Sequence, residues 1–153
     1  MTAPTSETNV ALMRALQASW SHPDPDRFSD LFTEDGEFED VVYGVKLKGR
    51  SELRAWSARL KKHVQEMRIE ILTCDATEET GVCEWRLFHR FTGNFDGVDR
   101  TGAPIDIRGL SVYRFAGGRI ASGRDYWNYM EMIRAVQVLP RELRGLCASV
   151  ADG

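Results

Sequence analysis

The amino-acid sequence predicts an α+β fold in which helices cover one face of an antiparallel sheet. The first half of the chain carries apolar residues at helical spacing, as in the stripe of Leu12, Leu16 and Trp20. The segment 67–71 instead alternates apolar with charged residues, which is the two-residue period of a strand. Further strand-like segments follow to residue 129, and Gly117-Gly118 supplies a tight hairpin turn between the last two. Consecutive strands joined by short turns pair antiparallel.

Three helices are predicted before the run of strands. The first begins after Thr5 or Ser6, either of which caps a helix, and it ends at His22-Pro23 because a proline disfavours helical geometry in the residue before it. Asp24-Pro25 opens a second, short helix, and a third starts near Ser51. The inner face of the third helix is marked at helical spacing by Leu53, Trp56, Leu60 and Val64.

Turn and loop signals separate the strands. An early strand runs from Glu37 to Val42 after a turn at Asp35-Gly36, and an irregular link through Gly44 and Gly49 leads to the third helix. The remaining predicted elements are strands at 67–71, 82–92, 104–115 and 119–129, a polar loop at 93–102 and a short closing helix at 130–138.

Length and composition limit the class of protein. The chain has 153 residues, which suits one domain, with a predicted core over about 8–140 and loose tails at both ends. The net charge of −3 and the lack of a basic stretch argue against nucleic acid as a partner. No apolar run is long enough to span a bilayer, and the polar segment 1–9 does not resemble a signal peptide. We therefore expect a cytoplasmic protein without a membrane partner, whose cysteines are reduced thiols: Cys74, Cys83 and Cys147.

Three segments carry a resemblance to a known group of proteins. They are Phe32–Asp40 followed by Gly49-Arg50, Phe91–Gly97 followed by Thr101-Gly102, and Tyr113–Ile120 running into Arg124–Trp127. Together they resemble the nuclear transport factor 2-like superfamily, which holds SnoaL-like polyketide cyclases, limonene-epoxide hydrolases and ketosteroid isomerases. The resemblance implies that the sheet is curved and wrapped by the three helices into a cone with an interior pocket. It also implies a homodimer formed through the open sheet face.

Asp125 is the first candidate for a catalytic residue. It lies in the last predicted strand beside Tyr126 and Trp127, and a carboxylate on an apolar wall is partly desolvated, which raises its pKa toward the range useful to a general base. The resemblance implies the same role, because epoxide hydrolases have a water-activating aspartate at the matching strand position. The structural alternative is an ion pair that ties strands together, with a partner among Arg90, Arg119 and Arg124.

Asp40 is the second candidate carboxylate. The segment Phe38–Val42 resembles the part of ketosteroid isomerases that carries the base, so Asp40 would move a proton between carbons of an enolisable ketone. The oxyanion donors of that family, a tyrosine and a protonated acid, are not matched, since Leu16 and Ser111 stand at the corresponding positions. The alternative for Asp40 is a solvated carboxylate that faces a loop.

Arg90 is the candidate for stabilising a developing negative charge on an enolate or carboxylate oxygen. Epoxide hydrolases carry an arginine and an aspartate two residues apart on the matching strand. This chain has Arg90 and Thr92 there, so the general acid of that network is missing unless Asp40 replaces it. If Arg90 faces away from the pocket, strand alternation turns His89 inward as the rival acid/base group.

Aromatic and aliphatic residues of the helices and strands form the predicted pocket lining. They are Trp20, Phe28, Trp56, Leu60, Ile107 and Trp127, with Thr92 as a polar member. An apolar pocket with few polar groups suits a small apolar or polycyclic ligand, and core packing is the alternative for each side chain. No cofactor and no metal are expected, because His22, His63 and His89 lack ligand spacing and no phosphate-binding glycine loop occurs.

Three functions remain open on the sequence. The first is a SnoaL-like cyclase of secondary metabolism, in which Asp125 removes an acidic proton, Arg90 holds the oxyanion and an aldol-type step closes a ring. The second is epoxide opening, which also needs an acid for the leaving oxygen and therefore needs Asp40 beside Asp125 and Arg90. The third is a binding module without catalysis, which an exposed or fully ion-paired Asp125 with no adjacent cavity would indicate.

Overall fold

The structure of the protein, a computed structural model, describes residues 5–22, 24–63 and 65–136. Helix α1 (Ser6–Ser21) is capped by Thr5, whose hydroxyl accepts the backbone N–H of Thr8 at 3.2 Å. Helix α2 (Pro25–Asp30) is capped in the same way by Asp24, and α3 spans Gly49–His63. The predicted starts of these helices are confirmed. A fourth helix, α4 (Tyr129–Ala135), follows the last strand.

Six strands form one sheet on which the helices pack. In chain order they are β1 (Phe32–Asp40), β2 (Val45–Lys48), β3 (Gln65–Ala76), β4 (Thr80–Arg90), β7 (Pro104–Ala116) and β8 (Arg119–Trp127), and a separate hairpin holds β5 (Asn94–Phe95) and β6 (Val98–Asp99). The spatial order in the sheet is β2-β1-β8-β7-β4-β3. The predicted α+β fold, with a curved sheet and covering helices, is confirmed.

The sheet is mixed rather than wholly antiparallel, which corrects one part of the prediction. Strands β3, β4, β7 and β8 pair antiparallel as consecutive neighbours, but β1 pairs with β8 in parallel. No short turn joins β1 to β8, because α3 and the six strands β2 to β7 lie between them in the chain. The antiparallel rule therefore did not apply to this pair, which brings Asp40 opposite Asp125.

Three regions predicted to be turns or loops contain regular strand structure. Asp35-Gly36 is not a turn but part of β1, whose pairing with β8 shifts register between Phe32 and Glu37. Such a shift bends a strand, and it accommodates the glycine that suggested a turn. The expected irregular link between β1 and α3 contains β2, and the expected polar loop at 93–102 contains the β5–β6 hairpin.

The apolar core consists of two clusters. One lies between the first three helices and the sheet and contains Met13, Leu16, Phe28, Phe32 and Phe38 among others. The second involves β4, β7 and α4 and contains Trp85, Ile105, Ile107, Met132 and Val136. Within the described residues, none of the helices has both the length and the apolarity of a transmembrane span.

The cysteines correct a second prediction. Cys74 and Cys83 form a disulfide, with their Cα atoms 4.2 Å apart, so the expectation of reduced thiols is wrong for this pair. The two residues are direct partners across the antiparallel β3–β4 pair. Their separation of nine residues matches no metal or redox motif, and only the hairpin register shows that they face each other. Cys147, Val64 and the predicted C-terminal tail lie outside the described residues.

Candidate functional site

A cavity of about 310 Å³ lies between the helices and the inner face of the sheet. All four tryptophans of the chain line it: Trp20 from α1, Trp56 from α3, Trp85 from β4 and Trp127 from β8. Leu60, Thr92 and Ile107 also lie in its wall. These residues were predicted to line a pocket, apart from Trp85. The cavity is at the small end of the range for ligand sites in proteins.

Phe28 was expected in this lining but belongs to the core. Its side chain is 2% exposed and does not reach the cavity. The ring packs against Trp20 at 5.5 Å and against Trp56 at 6.0 Å between centroids. The two indoles line the cavity and Phe28 supports them from behind, so the core alternative is correct at this position.

Asp125 is buried in the cavity wall. Its residue exposure is 8%, and its Oδ1 accepts a hydrogen bond from the Ser111 hydroxyl at 2.6 Å, since the two residues are direct partners across β7 and β8. Burial raises the pKa of Asp125 to about 7; the Ser111 hydrogen bond opposes this rise and the charge of Asp40 adds to it. The group therefore changes protonation near neutral pH, as a general base should.

Ser111 is held in one hydrogen-bonding state by its neighbours. The indole N–H of Trp85 donates to Ser111 Oγ at 2.8 Å, and Gln17 Nε2 donates to the same oxygen at 3.0 Å. These two bonds occupy both lone pairs of the hydroxyl, so its single proton points to Asp125. Trp85 reaches Ser111 because its strand partner is Gly109, where a Cβ would collide with the indole ring. The sequence analysis noted Ser111 only as a mismatch and missed Gln17 and Trp85.

Asp40 lies beside Asp125 in the cavity wall. The two residues are Cα partners in the parallel β1–β8 pair, and both line the cavity. The Asp40 carboxylate accepts the indole N–H of Trp127 at 3.3 Å and the backbone N–H groups of Val42 and Tyr43 at 3.0 Å. These donors fix the carboxylate against the cavity, so Asp40 is not the loop-facing, solvated group of the alternative interpretation.

Arg90 lies outside the cavity, which corrects its expected position. Its side chain is 52% exposed, and its Nε contacts Glu66 Oε2 at 2.9 Å on the outer surface. Strand alternation instead turns the preceding residue, His89, into the cavity wall. Burial lowers the pKa of His89 and thus favours a neutral imidazole, whose Nδ1 has no hydrogen-bond partner among the described residues. His89 is therefore the inward group on this strand, as the rival interpretation required.

The other arginines near Asp125 also point elsewhere. Arg124 contacts Glu39 at 3.3 Å on the outer face, and Arg119 donates to the backbone carbonyl of Asp30. Asp125 consequently has no ion pair within the described part of the chain, and the structural alternative proposed for it is wrong there. In the same ranges, no three His, Cys, Asp or Glu side chains come together as a metal site would require.

Tyr43 is a functional candidate that the sequence analysis missed. Its ring packs against Trp127 at 5.1 Å between centroids, and its hydroxyl lies 3.4 Å from the sulfur of Met132. Tyr43 is 58% exposed as a residue, but partial desolvation of its phenol and the charge of Asp40 raise its pKa to about 12, so the phenol keeps its proton. A thioether is a weak acceptor, which leaves this hydroxyl available to a ligand. The residue lies in a link with a turn glycine, where no periodic pattern marks the buried side.

This fold and this buried, cavity-lining carboxylate define a protein of the nuclear transport factor 2-like class. More narrowly, the chain belongs to the family of SnoaL-like polyketide cyclases, which it matches over residues 10–136. The sequence-based resemblance is thereby confirmed. A comparison with curated proteins gives no match.

Solved structures share the fold at low sequence identity. A protein from Jannaschia sp. CCS1 described as a SnoaL-like polyketide cyclase is 18% identical, with a TM-score of 0.74 over 92% of this chain and 99% of that chain. A protein of ketosteroid isomerase-like fold from Catenulispora acidiphila, solved with trimethylamine, is 21% identical, with a TM-score of 0.73 over 84% and 93%. An epoxide hydrolase of the limonene-epoxide-hydrolase type from M. tuberculosis is 18% identical, with a TM-score of 0.70 over 97% and 98%.

Proposed function

We propose that the protein is a cofactor-independent acid/base enzyme that acts on a small, largely apolar substrate, with Asp125 as the general base. The reaction proposed is the aldol-type ring closure of a SnoaL-like cyclase. The observation that carries this proposal is a buried carboxylate in a cavity wall, with one hydrogen bond from Ser111 and a pKa raised to about 7. Such a group accepts a proton from an activated C–H without a metal or a nucleotide.

In this proposal, groups other than Arg90 stabilise the developing oxyanion and exchange protons with the substrate. The Tyr43 hydroxyl, whose raised pKa keeps it protonated, is the donor that we assign to the developing oxyanion. Neutral His89 lines the same cavity and is the second group able to exchange a proton with substrate. The indoles of Trp20, Trp56 and Trp127 hold the substrate in the folded geometry that ring closure needs.

Epoxide opening is the second candidate function. The observation that favours it is the pair of carboxylates, because Asp40 and Asp125 are strand partners that line one cavity. A water between them would be activated by one group while the other protonates the epoxide oxygen. The arginine that completes this network in epoxide hydrolases has no counterpart among the described residues that line the cavity, since Arg90 pairs with Glu66. We therefore rank this function below the cyclase.

Partners and location are proposed on the same basis. A small substrate is the proposed partner, and neither nucleic acid nor a membrane is expected. The outer face of β7 and β8 exposes Leu110, Val112 and Tyr126 between charged residues, which supports a homodimer through this face. A cytoplasmic location remains a proposal, and the Cys74–Cys83 disulfide weighs against it because disulfides are rare in reducing compartments.

The test is proton exchange at carbon. Phenylacetone in D₂O exchanges its α-protons slowly on its own, and ¹H NMR follows the loss of signal with protein present. We expect exchange that increases with pH through about 7, that falls at least 100-fold in Asp125→Asn, and that survives in Asp106→Asn on the outer face. Styrene oxide hydrolysis serves as the parallel assay for epoxide opening. Wild-type protein that processes neither compound faster than Asp125→Asn would contradict the proposal.

A further inference from the structure

Six aromatic rings line the cavity together with seven aliphatic or thioether side chains. Besides the four tryptophans, Tyr43 and Phe91 also line it. Some of these rings pack edge to face, as Trp20 does on Trp56 at 5.3 Å, so that neighbouring rings meet the cavity at different angles. The face of an aromatic ring carries partial negative charge, which attracts a cation and gives nothing extra to a neutral hydrocarbon.

Apart from Tyr43, the ionisable side chains of the described lining are two carboxylates and His89, whose pKa is lowered by burial so that its neutral form is favoured. Asp40 and Asp125 are both acidic, and none of the described residues that line the cavity is a lysine or an arginine. The nearby arginines are engaged on the outer face, Arg124 with Glu39 and Arg90 with Glu66. When both carboxylates are ionised, no cationic side chain among the described lining residues balances their charge. A bound cation would balance it.

A buried acceptor without a partner supports the same conclusion. Gln17 is 1% exposed and lines the cavity, and its Oε1 accepts no hydrogen bond within the described residues. The orientation of the Gln17 amide follows from its contact with Ser111. The Ser111 hydroxyl donates its only proton to Asp125, so it can only accept from the Gln17 atom that lies 3.0 Å away, and that atom is the nitrogen. An unpaired buried acceptor costs free energy that a donor on a ligand recovers.

We propose that the cavity binds a small substrate that carries a protonated or quaternary amine with apolar substituents. The ring faces and the two carboxylates surround the positive charge, and a hydroxyl or N–H of the substrate donates to Gln17. This inference names the substrate class of the proposed active site and rests on that proposal for its catalytic meaning. The positive charge of the substrate would also stabilise a developing enolate, which is the role that the sequence suggested for Arg90.

A matched pair of ligands tests this inference by binding alone. Choline and 3,3-dimethylbutan-1-ol have the same shape and the same hydroxyl, and they differ in a positive nitrogen against a neutral carbon. Titration calorimetry and tryptophan fluorescence at pH 8, where Asp125 is ionised, should show choline binding at least tenfold tighter. Equal or tighter binding of the neutral alcohol, or no binding of either compound, would overturn the inference.

Two neighbouring acids on opposite faces of β1 provide the control. Asp40→Asn removes a cavity charge and should weaken choline binding at least fivefold, while the affinity for the neutral alcohol changes less than twofold. Glu39→Gln removes the same charge on the outer face, where Glu39 pairs with Arg124 and Lys46, and should leave both affinities unchanged. Equal weakening by the two variants would reject the inference, and circular dichroism checks that both are folded.

The binding and exchange experiments fail separately. Choline binding without catalysed exchange of phenylacetone would keep the cation site and remove Asp125 as an effective base. Exchange of the neutral ketone without any preference for choline would keep the base and remove the cation site.

Discussion

Two aspartates on neighbouring strands, Asp125 on β8 and Asp106 on β7, have opposite environments. Asp125 faces the cavity, has no ion pair within the described residues, and has its pKa raised to about 7 by burial. Asp106 faces solvent and accepts two hydrogen bonds from the Arg86 guanidinium, at 2.8 and 2.6 Å, which lower its pKa. The side chains differ only in the face of the sheet to which they point.

The difference shows that the direction of the pKa shift of these two carboxyls follows from the face of the sheet and not from the residue type. On the outer face, acids and bases neutralise each other in pairs such as Arg86–Asp106 and Arg124–Glu39. On the inner face Asp125 lies in a wall that includes aromatic rings, and desolvation disfavours its charged form. The following predictions test this contrast, from the largest effect to the smallest.

The largest expected effect is on the pH dependence of stability. The folded pKa of Asp125, about 7, lies above its unfolded value, so between about pH 4 and pH 7 the folded state holds the extra proton. The contribution of Asp125 to the free energy of unfolding is therefore full below about pH 4. It falls by up to about 4 kcal/mol as the pH rises to about 7 and then stays constant. As the pH rises from about 4 to about 7, urea unfolding should show the free energy of unfolding of Asp125→Asn increasing relative to that of the wild type. A difference between the two proteins that does not change with pH would contradict the assignment.

Removing Ser111 should have the next largest effect. Ser111→Ala leaves the Trp85 indole N–H without an acceptor and removes one of the two acceptors of the Gln17 amide, which keeps Tyr113, at a cost of about 3 kcal/mol in the free energy of unfolding. It also removes the donor that stabilises ionised Asp125, so the acidic limb of the pH–rate profile should move above pH 7. Ser29→Ala, at a buried serine outside the cavity, should leave that limb in place. An unchanged limb in Ser111→Ala would argue against control of the base by this hydroxyl.

A methyl group at position 109 should disturb the site from the strand backbone. The added Cβ of Gly109→Ala would overlap the Trp85 indole and displace it from Ser111, which we expect to cost about 2 kcal/mol. Tryptophan emission and near-ultraviolet circular dichroism should change together with activity. The comparison variant is Gly123→Ala on β8, where the added Cβ would lie 3.2 Å from the nearest atom of the Tyr113 ring. Gly123→Ala should therefore lower the free energy of unfolding less than Gly109→Ala does. Equal effects of the two variants would contradict the specific role of Gly109.

The smallest effect is expected on the outer face. Asp106→Asn breaks the exposed pair with Arg86 and should lower stability at pH 7 by under about 1 kcal/mol. Because the pKa of Asp106 is lowered, the stabilisation from this pair depends on pH in the opposite direction to that from Asp125. It is present above about pH 4 and is lost on acidification. Thermal unfolding at pH 7 and pH 3 measures both. If Asp106→Asn lowered the free energy of unfolding as much as a cavity variant such as Ser111→Ala, the two faces of the sheet would not differ as we expect.

The sequence by itself determined the helices, the long strands after the third helix and the family. Thr5 and Asp24 cap helices through contacts within three residues, and the period-two alternation at 67–71 marks a strand wherever it packs. These signals are local, so they survive without knowledge of the fold. Three segments carried the resemblance, and the last of them, which runs into Arg124–Trp127, contains Asp125 on the final strand of the sheet.

Tertiary structure alone decided which face of each strand is the inner one. Alternation separates Arg90 from His89 on β4 but does not say which of them meets the helices, and the same choice hid Trp85. The hydrogen bond from Gln17 to Ser111 spans 94 residues, and the disulfide depends on the β3–β4 register. The parallel β1–β8 pairing, which brings Asp40 to Asp125, also has no local signal. Burial is a property of the packed layers, so the pKa and the charge balance of the cavity arise only when the helices cover the sheet.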